Sequence, residues 1–338
     1  MKFKLKHAIG AALAALTLGG GAASAQDEIT VAYFLEWPMP FQYAKVNGWY
    51  DEALGIKVNW RSFDTGTAMS AAMASGDVQI AVSQGVPPFV VAVSAGQDLQ
   101  IADIAVSYSE NDNCVVRSDL EIDKTNAKEL EGKKVAVPLG TAAHYGFLKQ
   151  MAHFGVDIST MEIVNMAPPE GAAALAQGAV DMACGWGGAL RRMKEHGNVL
   201  LTGKEKEDLG ILVFDVTSSP ASFMAENTDL MSKFLCVTAK ANKMWNEGDE
   251  ATREKMIAVI AKDAGMDVEG TRATMATFEF PSVEEQLGPK WLGGGVQEFM
   301  KGVAKVFEEA GSIDKALPSY DQAVNIEPLK ACAASMGM

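Results

Sequence analysis

Residues 56–82 read IKVNWRSFDTGTAMSAAMASGDVQIAV, and the order of apolar and polar residues in this stretch indicates the fold. Ile56 to Phe63 has the composition of a strand, Asp64-Thr65-Gly66-Thr67 is a turn and helix-cap signature, and Ala68 to Ser75 is a small-residue helix. Gly76-Asp77 ends this helix before a second apolar strand, Val78 to Val82. Strands that alternate with helices at this spacing predict βα units and a parallel sheet.

The same alternation continues on both sides of this stretch. A strand is predicted over Ile29 to Phe34 and a helix over Phe41 to Glu52, and Ser83-Gln84-Gly85 opens a helix that runs through Val93. Further predicted elements are strands over 133–138, 161–165 and 180–185 and helices over 142–154, 168–177 and 187–196. After Asp215 the chain changes character and is rich in helix from Ser232 through Ala310.

Two runs of βα units followed by a helical return predict two α/β lobes. We expect the first lobe to hold about residues 26–112 and 216–338 and the second lobe about residues 113–215, so that the chain crosses between them twice. In open α/β sheets, ligands bind beyond the carboxyl ends of the strands. A small-molecule site is therefore expected between the lobes.

The N-terminal segment, residues 1–25, has the three parts of a secretory signal peptide. Lys2, Lys4 and Lys6 form a basic head, an apolar stretch covers Ala8 to Leu18, and Ala23-Ser24-Ala25 is a cleavage-site pattern. The apolar run is shorter than the roughly 20 residues that span a bilayer. We expect cleavage after Ala25 and export, with no lipid anchor because the new N-terminal residue would be Gln26 and not Cys.

The charge, cysteine and histidine content excludes several classes of function. The signal holds three of the 29 Lys and Arg residues and none of the 43 acids, so the rest of the chain has a formal charge near −17. Such a surface does not suit nucleic acid, whose phosphates need basic patches. The cysteines are widely spaced and could form disulfides or remain free thiols; they are Cys114, Cys184, Cys236 and Cys332. The histidines after the signal, His144, His153 and His196, are isolated from one another, so no metal site is predicted.

Several motifs in residues 29–220 resemble those of the taurine-binding proteins of ABC importers. The motifs are WRSFDTG at 60–66 with ASGDVQI at 74–80, GKKVAVP at 132–138, TAAHY at 141–145, VNMAPP at 164–169 and the segment around Trp186. Gly-Asp before an apolar strand is shared with the wider superfamily, which includes binding proteins for aliphatic sulfonates, nitrate and thiamin precursors. The resemblance implies a type II periplasmic binding protein fold that closes over its ligand, a membrane permease as partner, and no catalysis or cofactor.

A taurine site needs donors for the sulfonate and an acid for the ammonium. Free backbone N–H groups at helix N-termini suit a tetrahedral oxyanion, and three such ends are predicted at Thr65-Gly66-Thr67, Gln84-Gly85-Val86 and Thr141-Ala142-Ala143. Each of them could equally be an ordinary capped turn. A buried ammonium needs a carboxylate partner; the candidates are Asp215, which ends the apolar run 211–214, then Asp112, and then Glu36. The resemblance favours the two aspartates, because the taurine-binding relatives have an acid near each position.

Aromatic side chains could cover the methylenes of the ligand and stack against its ammonium. Trp186 stands among glycines at a strand end and is the first candidate, with core packing as the alternative. His144 and Tyr145, at a helix start, could donate to the sulfonate or could serve as cap or interlobe contacts, and Trp37 and Tyr108 are weaker candidates.

These observations predict a monomeric periplasmic solute-binding protein for taurine or a closely related small sulfonate. The alternatives are a binding protein for another alkanesulfonate or small anion, a sensor that presents the bound form to a receptor, or an enzyme of the thiamin-precursor type on the same fold. G-x-S-x-G, P-loop and Rossmann patterns do not occur, and the Cys-rich signature of the thiamin-precursor enzymes does not occur either. The sequence leaves open the exact ligand, the disulfides and the identity of the permease.

Overall fold

A computed structural model describes residues 28–337 of the chain. The predicted signal peptide, residues 1–25, lies outside the described residues. Within them, no helix is both long and apolar enough to cross a membrane.

The strands of the described residues form two separate five-stranded sheets. In chain order they are β1 (Glu28–Phe34), β2 (Lys57–Phe63), β3 (Ile80–Gly85), β4 (Leu99–Ser107), β5 (Asp112–Arg117), β6 (Lys134–Val137), β7 (Glu162–Asn165), β8 (Met182–Trp186), β9 (Gly197–Val199) and β10 (Phe214–Pro220). The first sheet has the order β2-β1-β3-β10-β4 and the second has the order β7-β6-β8-β5-β9.

Helices cover the faces of both sheets and continue after β10. In chain order they are α1 (Pro40–Val46), α2 (Trp49–Leu54), α3 (Gly66–Ala74), α4 (Val86–Ser94), α5 (Ala142–Phe154), α6 (Pro168–Ala176), α7 (Gly187–Lys194), α8 (Gly203–Asp208), α9 (Ala221–Glu226), α10 (Thr228–Glu247), α11 (Glu250–Ala264), α12 (Val268–Met275), α13 (Val283–Leu287), α14 (Gly295–Glu309) and α15 (Glu327–Ser335).

The prediction of two α/β lobes is confirmed. We call the elements around the first sheet the first lobe and those around the second sheet the second lobe. The chain passes between them after β4 and again before β10, and the backbone N–H of Tyr108 donates to the carbonyl of Val213 (3.0 Å), which joins the two crossing segments.

Two details of the predicted elements are wrong. The helix expected over residues 41–52 is two helices, because the chain turns at Gly48, whose φ of 70° lies in the left-handed region that glycine enters without strain. The sheets are mixed rather than parallel, since β10 runs antiparallel to β3 and β4 and β5 runs antiparallel to β8 and β9.

Each lobe is stabilised by buried strands and by one disulfide. Every residue of β3 is buried, as expected for a central strand with helices on both faces. Cys114 and Cys184, which the sequence left open as thiols or disulfides, form a disulfide between the neighbouring strands β5 and β8. Cys236 and Cys332 form a second disulfide that joins α10 to α15.

Candidate functional site

A small cavity lies between the lobes, where the carboxyl ends of strands from both sheets meet. Six of the predicted site residues line it, together with three others: the predicted residues are Gly66, Gly85, Tyr108, Thr141, Trp186 and Asp215, and the others are Phe34, Pro88 and Ala142. Its volume is about 20 Å³, which is room for about one water molecule.

The three predicted helix N-termini all reach this cavity. Gly66 is the first residue of α3, Gly85 is the N-cap of α4, and Thr141 is the N-cap of α5, followed by Ala142. The Thr65 hydroxyl caps α3 by accepting from the Ala68 N–H (3.2 Å).

The Thr141 hydroxyl caps α5 in the same way, accepting from the His144 N–H (3.4 Å). These caps leave the N–H groups of Gly66 and Thr67 in α3, and of Ala142 and Ala143 in α5, without an acceptor among residues 28–337. Free N–H groups at helix starts are suited to an anion.

The close approach of α3 to α4 depends on Gly66. A Cβ at this position would lie 2.6 Å from Pro88 Cγ, and the ring of Pro88 cannot move away as a flexible side chain could. Glycine therefore brings two helix N-termini to the same wall of the cavity.

Asp215 is a buried carboxylate in the cavity wall, held by two hydroxyl groups. Tyr108 donates to its Oδ1 (2.7 Å) and Ser83 donates to its Oδ2 (2.7 Å). Ser83 has a φ of 63°, and its hydroxyl also accepts from the indole N–H of Trp37 (2.8 Å). Trp37 thus acts on the site by orienting Ser83 and does not itself line the cavity.

Burial raises the pKa of Asp215 to about 7, although the hydrogen bonds from Tyr108 and Ser83 lower it and the nearby Asp112 raises it further. Burial and the Asp215 carboxylate raise the pKa of Tyr108 well above its usual value, so the phenol stays a donor at neutral pH. Near neutral pH, small changes around Asp215 therefore shift it between its protonated and ionised forms.

Asp112 lies beside the cavity wall. It begins β5 directly opposite Trp186 in the β5–β8 register, it is 1% exposed, and its Oδ2 has no hydrogen-bond partner among the described residues. Burial raises its pKa to about 6, and the charge of Lys206 opposes that shift. The buried ammonium of Lys206, which the sequence analysis did not identify, donates to the backbone carbonyl of Asp112.

Glu36, predicted as a third acid for the ligand, is bound to the opposite lobe. Arg192 in α7 donates to both of its carboxylate oxygens, at 2.6 and 2.9 Å, and Gly188 N–H donates to its backbone carbonyl (3.1 Å). No sequence motif pointed to Arg192, because its partner is 156 residues away in the chain.

Three further predicted residues lie near the site but use their side chains elsewhere. The Gln84 amide donates to the Gly66 carbonyl (2.8 Å) and so supports the start of α3. His144 accepts from the Gly140 N–H and stacks on Phe307, and burial lowers its pKa to about 4. Tyr145 packs edge-on against Phe299 and Phe307 of α14, an interlobe contact.

Phe34 and Pro88 line the cavity but were not predicted from the sequence as site residues. Phe34 ends β1 and packs against Trp186 with ring centroids 5.9 Å apart. The position of Phe34 at a strand end was the one signal that could have identified it. Pro88 lies in the first turn of α4, and the packing of α3 against α4 brings it to the cavity.

Two α/β lobes with a cavity between them define the fold of a solute-binding protein. The described residues contain no group of three or more His, Cys, Asp or Glu side chains that could hold a metal ion. The chain belongs to the NMT1/THI5-like family, whose model matches residues 38–251.

Three known proteins similar to this chain are described as binding proteins for taurine or other sulfonates. The taurine-binding periplasmic protein of Escherichia coli (strain K12) is 26% identical over 298 residues, which cover 88% of this chain and 91% of that protein. The periplasmic aliphatic sulphonate binding protein SsuA of Escherichia coli has a TM-score of 0.68 at 19% identity, covering 89% of this chain and 92% of that chain.

The alkanesulfonate-binding protein SsuA of Xanthomonas axonopodis pv. citri, bound to MOPS, has a TM-score of 0.73 at 19% identity, covering 90% of this chain and 100% of that chain. The names of these three relatives describe binding proteins, in agreement with the prediction that this chain is not an enzyme.

Proposed function

We propose that the chain is a periplasmic solute-binding protein of an ABC importer and that it captures taurine or a closely related small sulfonate. The observation that carries the proposal is that the same interlobe cavity is lined by helix N-termini with free N–H groups and by the buried carboxylate of Asp215. Such a cavity matches a zwitterion better than it matches a simple anion.

The sulfonate is assigned to the N-termini of α3 and α5. The donors at Gly66 and Ala142 belong to different lobes, so a sulfonate held by both would favour the closed arrangement. Backbone donors at helix starts stabilise an anion without placing a cationic side chain in the cavity.

The ammonium is assigned to Asp215, which is 2% exposed. A buried carboxylate is costly without a cationic partner, and the two hydroxyl donors satisfy only part of its capacity to accept hydrogen bonds. The nearby Asp112, with one oxygen unpartnered among residues 28–337, adds negative potential on the same side.

The cavity must open to admit a ligand. A space of about 20 Å³ holds about one water, and taurine is several times that size. We therefore propose that the lobes, divided near Asp112 and Asp215 into residues 26–112 with 216–338 and residues 113–215, move apart for entry and close on the ligand. The protein works as an exported monomer, delivering its ligand to a membrane permease.

A ligand-dependent thermal shift tests the function. A ligand that binds only the folded state raises stability by RT ln(1 + [L]/Kd), about 2.7 kcal/mol at 100 times Kd. Taurine should raise the melting temperature by several degrees, whereas nitrate, sulfate and α-amino acids should not. A shift with nitrate but not with taurine would point to an anion-binding protein instead.

A further inference from the structure

A second space lies next to the cavity in the same cleft. This outer groove has a volume of about 300 Å³. Its walls are largely apolar and come from both lobes, with Phe63 on one side and Pro168 and Pro169 on the other, and Arg192 lies on its rim in the ion pair with Glu36.

Two aromatic side chains separate the groove from the cavity. Phe34 and Trp186 line both spaces. Phe34 ends β1 in the first lobe and Trp186 ends β8 in the second lobe, and their ring centroids are 5.9 Å apart at an interplanar angle of 59°. The partition therefore consists of one side chain from each lobe and forms where the lobes meet.

The two spaces differ in what they can hold. The cavity contains the polar groups assigned to a sulfonate and an ammonium but is small, about 20 Å³. The groove is larger and mostly apolar. Of its three charged residues, Glu36 and Arg192 bind each other, and Asp64 is exposed to solvent. A ligand with a polar head and a long alkyl chain would need both spaces and would have to pass between Phe34 and Trp186.

We propose that the Phe34–Trp186 pair sets the maximum chain length of the sulfonate that this protein binds, and that the outer groove is a subsite for the alkyl chain of a longer sulfonate when the pair is parted. The proposal rests on the proposed function, since it assumes that the cavity holds the sulfonate. Phe34 is the specificity-determining residue, because removing its ring would join the two spaces and leave Trp186 in place.

The test is calorimetry with ethanesulfonate, butanesulfonate and hexanesulfonate on the wild-type protein and on Phe34→Ala. Wild-type affinity should fall at least tenfold from ethanesulfonate to hexanesulfonate. Phe34→Ala should bind hexanesulfonate at least tenfold more tightly than the wild type, because each buried methylene strengthens binding about fourfold.

Two further variants control for size and for folding. Phe63→Ala removes an aromatic wall of the groove but leaves the partition closed, so it should still exclude hexanesulfonate. Phe34 is 6% exposed, and Phe34→Leu keeps an apolar side chain in the core; it should give a smaller gain of hexanesulfonate binding even if Phe34→Ala does not fold.

Two results would overturn the inference while leaving the proposed function intact. One is a wild-type protein that binds all three sulfonates with similar affinity. The other is a folded Phe34 variant that binds taurine and gains nothing for hexanesulfonate. If neither taurine nor any of the three alkanesulfonates binds the wild type, the proposed function fails and the inference fails with it.

Discussion

Replacing Asp215 by Asn separates the charge of this side chain from its shape. The carboxylate accepts from Tyr108 and Ser83, each at 2.7 Å, in a position that is 2% exposed. Asn keeps one acceptor oxygen in the same place and replaces the other by an NH₂ group. The hydroxyl of Ser83 can turn to accept from that group, so the fold should survive the change.

The expected loss of taurine affinity follows from leaving a desolvated ammonium without its counter-charge. Removing one partner of a buried charge pair typically costs about 2–5 kcal/mol, which is roughly 30-fold to several thousand-fold in Kd. Ethanesulfonate lacks the amine, so its affinity should change much less. The ratio of the two affinities is therefore the informative quantity.

The assay is titration calorimetry with taurine and ethanesulfonate on the wild type and on Asp215→Asn. Asp103→Asn is a matched control, because Asp103 is also a buried aspartate of the first sheet whose pKa burial raises to about 6, but its Oδ1 accepts from the Thr217 N–H and it lies away from the cavity lining. Asp103→Asn should leave the ratio of the two affinities unchanged.

Two outcomes would refute the reasoning. Equal loss of both ligands in a folded Asp215→Asn protein would mean that Asp215 holds the lobes and does not bind the amine. Unchanged taurine affinity would remove Asp215 from the site, and Asp112 would have to take its place.

The other predictions concern pH, the aromatic cover and closure. Because the pKa of Asp215 is about 7 without ligand and only the ionised form pairs with an ammonium, taurine affinity by calorimetry should fall roughly tenfold or more from pH 8 to pH 5.5, while ethanesulfonate affinity stays flat or rises. The same raised pKa means that protonated Asp215 stabilises the fold fully below pH 4, and that this contribution is lost as pH rises through 7. The wild type should therefore lose unfolding free energy relative to Asp215→Asn between pH 5 and pH 8. A difference between the two proteins in urea unfolding that does not change with pH would contradict this. Trp186→Ala should weaken taurine and ethanesulfonate alike by about tenfold or more, since burying a large apolar side chain contributes roughly 1.5–3 kcal/mol; selective loss of taurine would indicate a cation–π role instead. X-ray scattering should show a smaller radius of gyration with taurine than without it, and identical curves with and without ligand would refute closure. Glu36→Gln breaks the ion pair with Arg192, so it should raise the ligand-free radius of gyration and lower the affinities for taurine and ethanesulfonate.

Much of the architecture could be predicted from the sequence because it depends on local patterns. Apolar runs and turn signals identified six of the ten described strands to within a few residues and missed β4, β5, β9 and β10. Helix α5 was predicted at its observed bounds, Ala142–Phe154. Capping threonines at 65 and 141 placed two helix N-termini, and both reach the cavity. Asp215 stood out because a charge directly after four apolar residues is unusual, and it lies in the cavity wall.

The roles of the other candidates depended on partners that are distant in the chain. Glu36 and Gln84 were sensible candidates by position, but the fold pairs Glu36 with Arg192 and directs the Gln84 amide to Gly66. Ser83 became important only because β10 brings Asp215 beside it, 132 residues later.

The sequence by itself therefore determined the two α/β lobes and three helix ends, and it offered three acids as candidates for a ligand. Only the tertiary structure decided which polar side chains remain free for a ligand and where Phe34 meets Trp186. The physical reason is that hydrogen-bond and aromatic partners lie on different strands and lobes, and no local periodicity encodes the distance between them.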